Sequence, residues 1–125
     1  MLTFEKRTPR FIIRMNIEAM GRDLCVSFSG GDTPHIGAVA LAVPYTEKHR
    51  TDKTYASVST LTVTGHRDDG LAREAAHALA VKSGSTVTVS CGIHLDDATA
   101  DEIEAVLEAA RSLIADAVKK IDTAQ

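Results

Sequence analysis

Three short segments of this 125-residue chain each place a histidine beside a glycine and near an aspartate. They span residues 29–37 (SGGDTPHIG), 65–70 (GHRDDG) and 91–97 (CGIHLDD). Each lies next to an apolar or β-branched run, so we expect each to stand at the end of a strand. A histidine held at a strand end is a rigidly placed ligand, proton donor or proton acceptor. The three segments are therefore the strongest candidates for a functional site.

The histidines of these segments, His35, His66 and His94, have the residue type but not the local spacing of a metal site. They lie far apart in the sequence, unlike the ligands of a zinc finger or of an HExxH helix. If the fold brings the three strand ends to one rim, three neutral imidazoles suit zinc, iron or copper. The alternative is three separate loop histidines that hydrogen-bond to the backbone, and the sequence leaves both open.

Two of the segments also offer places for a phosphate group. Gly30 and Gly31 allow backbone amides to approach an anion, although such pairs also simply form turns. Arg67 precedes a predicted helix whose first amides favour phosphate, although Asp68 or Asp69 would compete for those amides as the N-cap. Carboxylates, with Asp32 first among them, would orient the histidines or cap turns.

The composition excludes several classes of function. A formal net charge of −3 argues against a partner held mainly by phosphate contacts, so we expect no nucleic acid. Apolar runs stay well short of a membrane span, and the first residues lack a signal-peptide pattern. The two cysteines, Cys25 and Cys91, have no CxxC spacing. We expect one cytoplasmic domain over residues 1–125 that binds no membrane.

Hydrophobic periodicity predicts strands followed by helices. Alternating or β-branched runs indicate strands at residues 11–19, 24–28, 36–43, 55–64 and 86–91. One helix should begin after Asp68 or Asp69 and end before Gly84, and a second should open at Thr99 with a capping box to Glu102. Pro44 should end the third strand, residues 44–54 should form an exposed loop, and the tail after residue 121 should be frayed.

This order of elements predicts an α+β fold, with a mainly antiparallel sheet of five to six strands covered by two helices. Such a small sheet has open edges. Pairing with a second copy of the chain would hide one of them, so we expect a homodimer.

The three histidine segments resemble those of the LpdD-like family, the small D subunit that accompanies UbiD-type gallate and hydroxyarylic-acid decarboxylases. The resemblance extends over about residues 11–113. It implies a fold like that of the proteasome assembly chaperones, usually dimeric. It further implies a chaperone that binds prenylated FMN and helps to mature the partner decarboxylase without being the decarboxylase itself.

Together, the residues and the resemblance define one candidate site. The residues expected to bind the cofactor are Gly30, Gly31, Asp32, His35, His66, Arg67 and His94. A transition metal ion held by His35, His66 and His94 would bridge to the flavin or assist its oxidation. Two alternatives stay open at this point: a small metal-dependent enzyme that uses the same histidines, and an assembly factor that has no ligand.

Overall fold

A computed structural model describes residues 1–63 and 68–121, and within these ranges the chain forms six strands and two helices. The strands are β1 (Leu2–Arg7), β2 (Ile12–Met20), β3 (Asp23–Gly31), β4 (Ala38–Glu47), β5 (Arg50–Thr62) and β6 (Val87–His94). The helices are α1 (Asp69–Ser83) and α2 (Ala100–Lys120). This confirms the predicted α+β class. Neither helix of these ranges has the length and hydropathy needed to cross a membrane.

The strands form one mixed sheet in the order β1-β2-β3-β6-β4-β5. Neighbours are antiparallel except β3 and β6, which run parallel with Gly31 opposite His94. Because β6 lies between β3 and β4, the segment that joins β3 to β4 must cross over the end of β6. This crossover, residues 32–37, positions the candidate site.

Both helices cover the same face of the sheet. α1 packs on β4, β5 and β6, whereas α2 packs on β1 and β2 and against α1. The core between the layers includes several large, fully buried side chains: Ile13, Met15, Phe28, Leu79, Val87, Val89 and Leu113. Alanines line β4 and α1 where these elements meet, which lets the helix lie close to the sheet.

Helix boundaries follow the capping signals in the sequence. Gly84 ends α1 in the left-handed conformation, with its amide bonded to the Ala80 carbonyl. α2 begins after Thr99, whose hydroxyl accepts the Glu102 amide while the Glu102 carboxylate accepts the Thr99 amide. Both predictions are confirmed.

Two predictions about the β4–β5 region were wrong. Pro44 does not end β4, and residues 44–54 are not a loop, because the strands continue as a hairpin to Glu47 and Arg50. β6 pairs only with residues 38–42 of β4, so Pro44 lies where β4 has β5 as its single neighbour. Proline has no N–H to donate to a neighbouring strand. It is tolerated at this position because β4 has a partner strand on only one side there. Tyr45 and Tyr55 stack across this ribbon with ring centroids 5.6 Å apart.

Smaller differences concern the ends of the sheet. Residues 2–7 form a strand that the sequence analysis did not predict, so five strands precede α1 rather than four. β6 continues past Cys91 to His94. Residues 122–125, for which fraying was predicted, lie outside the described residues.

Candidate functional site

The topology brings two of the predicted histidine segments together at one end of the strands. β3 and β6 end side by side there, β4 starts at the same end, and β5 ends opposite Ala38 before the chain enters α1. The ring centroids of His35 and His94 lie 6.4 Å apart, nearly perpendicular at 78°. We call the cluster of His35, Asp68, His94 and Asp96 the rim.

The crossover lies directly on the end of β6. The amides of Asp32 and Thr33 face the His94 carbonyl oxygen at 2.7 and 3.4 Å, and the Gly37 amide donates to Cys91 at 2.9 Å. Gly31 makes the bend with a φ of +81°. The Asp32 and Thr33 amides therefore hold the crossover in place, and Gly30 and Gly31 shape the path of the chain.

A glycine in β6 makes this close approach sterically feasible. A Cβ on Gly92 would collide with the carbonyl oxygen of His35. Because the obstructing atom belongs to the backbone, no change of rotamer would relieve the clash. The position of His35 thus depends on the absence of a side chain at residue 92.

A buried carboxylate fixes the ring of His35. Asp68 is only 7% exposed; its Oδ2 lies 3.2 Å from His35 Nε2, and its Oδ1 accepts the Ile93 amide at 3.0 Å. The other ring nitrogen, Nδ1, lies 2.9 Å from the Thr33 carbonyl oxygen. Both ring nitrogens face oxygen acceptors, so a ring that carries a proton on each nitrogen can donate to both.

The sequence analysis expected Asp68 or Asp69 to cap α1 through its carboxylate. Asp68 does occupy the N-cap position, but its side chain makes no capping hydrogen bond. The carboxylate instead points back to His35 and Ile93. That leaves the first turn of α1 without a cap from the residue at its N-cap position.

His94 has a more open environment than His35. Its Nε2 lies 3.1 Å from the Asp96 carboxylate, and its side chain is 51% exposed against 18% for His35. A half-exposed imidazole at a strand end can contact a ligand that arrives from solvent. His94 is thus the more accessible of the two histidines.

An arginine that the sequence analysis missed ties the surrounding loops together. Arg10, in the β1–β2 connection, donates to the Asp32 carboxylate at 2.7 Å, to the Asp96 carbonyl at 3.0 Å and to the Glu102 carboxylate at 2.9 Å. Asp32 in turn accepts the Asp96 amide at 2.8 Å. We call Arg10, Asp32 and Glu102 the arginine clamp.

The clamp shifts the pKa of each of its members. The hydrogen bond from Arg10 is the main cause that lowers the pKa of Asp32, followed by the bond from the Asp96 amide. For Glu102, the Thr99 amide is the main cause of the lowered pKa, with Arg10 contributing less. The hydrogen bond to Asp32 is the main cause of the raised pKa of Arg10. The clamp is thus fully ionised at neutral pH.

An apolar cavity of about 250 Å³ opens beside the rim. Asp68 and His94 lie at its wall, and the remaining lining is apolar: Leu71, Ile93, Leu95, Ala98, Ile103, Val106 and Leu107. Its volume is below the roughly 300 Å³ at which pockets for whole organic ligands begin. The cavity therefore suits an apolar portion of a larger ligand whose polar portion contacts the rim.

A larger groove of about 820 Å³ lies between α1, α2 and β5. Its polar lining includes Arg73, Glu74, His77 and Arg111, and none of the rim residues borders it. Arg111 is paired with Glu74 at 3.2 Å. The groove is more voluminous but has no part of the histidine cluster.

A family model described as the prenylated flavin chaperone LpdD-like domain matches residues 7–122. The chain belongs to this family. No curated protein matches it. The resemblance noted from the histidine segments is thereby confirmed over nearly the whole length of the chain.

The LpdD-like domain brings together five of the seven residues predicted to bind the cofactor. Gly30 and Gly31 end β3, Asp32 opens the crossover, and His35 and His94 lie on the rim. The remaining two, His66 and Arg67, lie outside the described residues. The predicted set therefore stays a prediction as a whole, with its described members at one end of the sheet.

The described residues do not form a ready metal site. Within residues 1–63 and 68–121, no group of three or more His, Cys, Asp or Glu side chains is arranged to hold an ion. The Nε2 atoms of His35 and His94 each face a carboxylate rather than a common point. Since His66 lies outside these ranges, the three-histidine metal site stays a prediction.

Proposed function

We propose that this LpdD-like protein binds prenylated FMN at the rim and passes it to a UbiD-type decarboxylase. The observation that carries the proposal is the apolar cavity that opens beside His94 and Asp68, in a chain of this family. The prenyl addition makes part of the flavin more apolar, whereas the rest of the cofactor is polar. An apolar cavity next to a polar rim matches that division.

His94 is the side chain with the clearest role toward the ligand. Its half-exposed ring faces the cavity and can exchange a hydrogen bond with a polar edge of the flavin. His35, held by Asp68, acts in our proposal as a fixed polar wall. Gly30, Gly31 and Asp32 keep the crossover against β6 and so set the shape of that wall.

The phosphate of the cofactor would lie at the start of α1. The Asp68 side chain makes no hydrogen bond to the helix amides, which leaves those donors open to a phosphate, although Asp69 adds a carboxylate to the first turn. His66 and Arg67 immediately precede this end in the sequence. An arginine adds a charge-assisted contact to a phosphate that the helix amides already favour.

Delivery requires that the bound cofactor can leave. The rim lies at the end of the central strands and is open to solvent: the side chains of both His94 and Asp96 are half exposed or more. A decarboxylase could reach a ligand held there without opening the core of the chaperone. In this proposal the flavin supplies its chemistry only in the partner enzyme, and the chaperone works as a homodimer.

The first test measures cofactor binding directly. Purified protein is mixed with prenylated FMN and passed through a sizing column, and flavin absorbance should travel with the protein. Replacing His94 with alanine should weaken binding at least about 10-fold, because a hydrogen bond to a charged or strongly polar group is lost. His49→Ala, which removes a histidine from the distant β4–β5 hairpin, is the matched control and should bind normally.

The outcomes separate the proposal from its alternatives. Equal affinity of the His94→Ala and wild-type proteins would contradict the assignment of the site, provided that their circular dichroism spectra agree. A colourless wild-type peak that carries stoichiometric metal would favour the metal-dependent enzyme. A peak with neither flavin nor metal would favour the assembly factor.

A second test addresses delivery. Protein loaded with prenylated FMN is mixed with a cofactor-free UbiD-type decarboxylase, and the two are separated by size. The flavin should move to the decarboxylase faster than free cofactor of the same concentration binds to it. No acceleration would reduce the proposed role to storage.

A further inference from the structure

The groove between α1, α2 and β5, here called the helix groove, has no part in the proposed function. Its volume is about 820 Å³, against about 250 Å³ for the cavity beside the rim. Pockets that hold a whole organic ligand range from roughly 300 to 1,000 Å³. The helix groove therefore has room for a complete small molecule.

Apolar side chains form the floor of the helix groove. They come from all three elements: Ala56, Val58, Ala78, Ile114, Ala115 and Val118. The alanines leave space because their side chains end at Cβ. Removing apolar surface from water is favourable, so this floor favours a ligand with an apolar body.

The charged side chains that border the floor are mostly cationic. Arg73, Arg111 and Lys119 line the groove together with a single carboxylate, that of Glu74. Glu74 lies 3.2 Å from Arg111 and compensates the charge of that guanidinium. The chain as a whole has the opposite sign, with a formal net charge of −3. The helix groove thus concentrates positive charge on a chain that is acidic overall.

The protein itself does not neutralise Arg73 or Lys119. Within residues 1–63 and 68–121, neither side chain forms an ion pair with a carboxylate. Arg73 donates to the Val58 carbonyl oxygen at 3.3 Å, which holds the guanidinium beside the floor without adding negative charge. An anionic group in the groove would supply the charge-assisted contacts that these two cations lack.

The spacing of residues on α2 gives the helix groove an elongated shape. Arg111 and Lys119 are eight residues apart, which corresponds to about 12 Å along a helix. Ile114, Ala115 and Val118 lie between them. An extended apolar chain can contact the floor over this whole length, whereas a compact body would contact only part of it.

We infer that the helix groove is a second binding site, and that its ligand is an elongated organic acid with a linear apolar body and one carboxylate, as in a medium-chain fatty acid. The apolar body lies along the floor, and the carboxylate pairs with Arg73 or Lys119. None of the rim residues lines the groove, so the inference does not rest on flavin binding at the rim.

The test is a titration of the full chain with decanoate, followed by the NMR shifts of the backbone amides. Decanol and decyltrimethylammonium serve as the neutral and cationic compounds of the same chain length. Decanoate should bind saturably with a dissociation constant below about 1 mM and should shift amides around the helix groove. Decanol should bind at least about 3-fold more weakly, and decyltrimethylammonium more weakly still, because neither gains from the cations.

Variants of the charged residues should change the affinity for decanoate in opposite directions. Arg73→Gln combined with Lys119→Gln should weaken it about 10-fold and leave that for decanol unchanged. Glu74→Gln should strengthen it about 3-fold, because Arg111 then loses its carboxylate partner. The control, Lys48→Gln combined with Arg50→Gln, removes two cations from the distant β4–β5 hairpin and should have no effect.

A second pair of variants tests the shape of the groove. Ala115→Phe places an apolar ring in the groove without changing its charge, and it should abolish saturable binding of decanoate and decanol alike. Ala105→Phe adds the same ring at an exposed position of α2 that does not line the groove. It should leave both affinities unchanged.

Several outcomes would overturn the inference. A wild type that does not bind decanoate saturably, or that binds decyltrimethylammonium equally well, would do so and would leave the proposed function standing. Weaker decanoate binding by Glu74→Gln would also contradict it. If loss of Arg73 and Lys119 leaves decanoate binding unchanged but slows transfer of flavin to the decarboxylase, the groove belongs to that partner.

A competition experiment separates this site from the one at the rim. Decanoate should bind the His94→Ala variant as it binds the wild type, and prenylated FMN should not displace it from either. Displacement of decanoate by prenylated FMN in His94→Ala would place the flavin in the helix groove. That result would contradict both this inference and the position of the cofactor in the proposed function.

Discussion

The two sides of the rim hold neighbouring loops by different means. On one side, Asp68 is buried and bonds to the His35 ring and to the Ile93 amide. On the other side, the arginine clamp holds Asp32 and the Asp96 loop through charged groups in contact with water. Buried polar contacts are costly to lose, and exposed ion pairs contribute little each.

This difference implies a division of labour. The Asp68 side fixes the His35 ring and the backbone of β6 at Ile93, and it adds to the amide bonds that hold the crossover on β6. The arginine clamp aligns the loop that carries Asp96, the neighbour of His94, and can rearrange at low cost when a ligand enters. The following predictions test that division, beginning with the largest effect.

Gly92→Ala should have the largest effect on stability. The new Cβ would collide with the His35 carbonyl oxygen, so the crossover must move away from β6. We expect the free energy of unfolding to fall by about 3 kcal/mol, the upper end of the usual range for single substitutions. The measurement is urea unfolding followed by circular dichroism.

Gly70→Ala is the matched control. No atom lies within 4 Å of the Cβ that it adds, and alanine favours the helical conformation. Stability should stay the same or rise by at most about 1 kcal/mol. Equal losses for the two variants would show that the close approach of His35 to β6 does not limit stability.

Asp68→Ala should rank next. It leaves the Ile93 amide and the His35 ring without their shared acceptor, at a cost of about 2 kcal/mol. Asp69→Ala, at the exposed neighbouring position, should cost clearly less. A double-mutant cycle should then give a larger coupling for the pair His35 and Asp68 than for Arg10 and Asp32, and the reverse order would contradict the division of labour.

The ends of the helices and the convergence of two histidines were accessible from sequence because their causes are local or topological. A capping box and a glycine C-cap involve residues within one turn of each other, as at Thr99 and Gly84. The meeting of His35 and His94 follows from placing both at strand ends. The two histidines meet in the structure because β3 lies beside β6 in the sheet.

The remaining features depend on tertiary contacts that leave no local pattern. Arg10 meets Asp32 and Glu102 only after β2, β3 and α2 have packed, and it stands in an ordinary turn of the sequence. The sequence predicts Asp68 as a helix cap because an aspartate just before a helix most often caps it. In the structure its carboxylate bonds to the His35 ring and the Ile93 amide instead. Residues 44–54 have the composition of a loop, and pairing between the two strands makes them a hairpin.

The smallest predicted effect is the pH dependence of the arginine clamp. The folded protein lowers the pKa of Asp32 below its ordinary value of 3.8, chiefly through Arg10. A lowered carboxyl pKa stabilises the fold at every pH above the ordinary value, and this contribution disappears as the pH falls through the lowered pKa.

Arg10→Gln should therefore raise the pKa of Asp32, measured by carboxyl carbon NMR, and lower the urea midpoint at pH 7 by less than Asp68→Ala does. The difference from wild type should shrink only as the pH is lowered from 7 to below the ordinary carboxyl value of 3.8 and on through the lowered pKa, because protonation of Asp32 then removes its ion pair with Arg10 in the wild type as well. The pKa of Glu102 should stay below its ordinary value in Arg10→Gln, because the hydrogen bond from the Thr99 amide is the main cause of its lowering. A difference that stays constant across this range would mean that Arg10 acts through packing of its side chain rather than through charge.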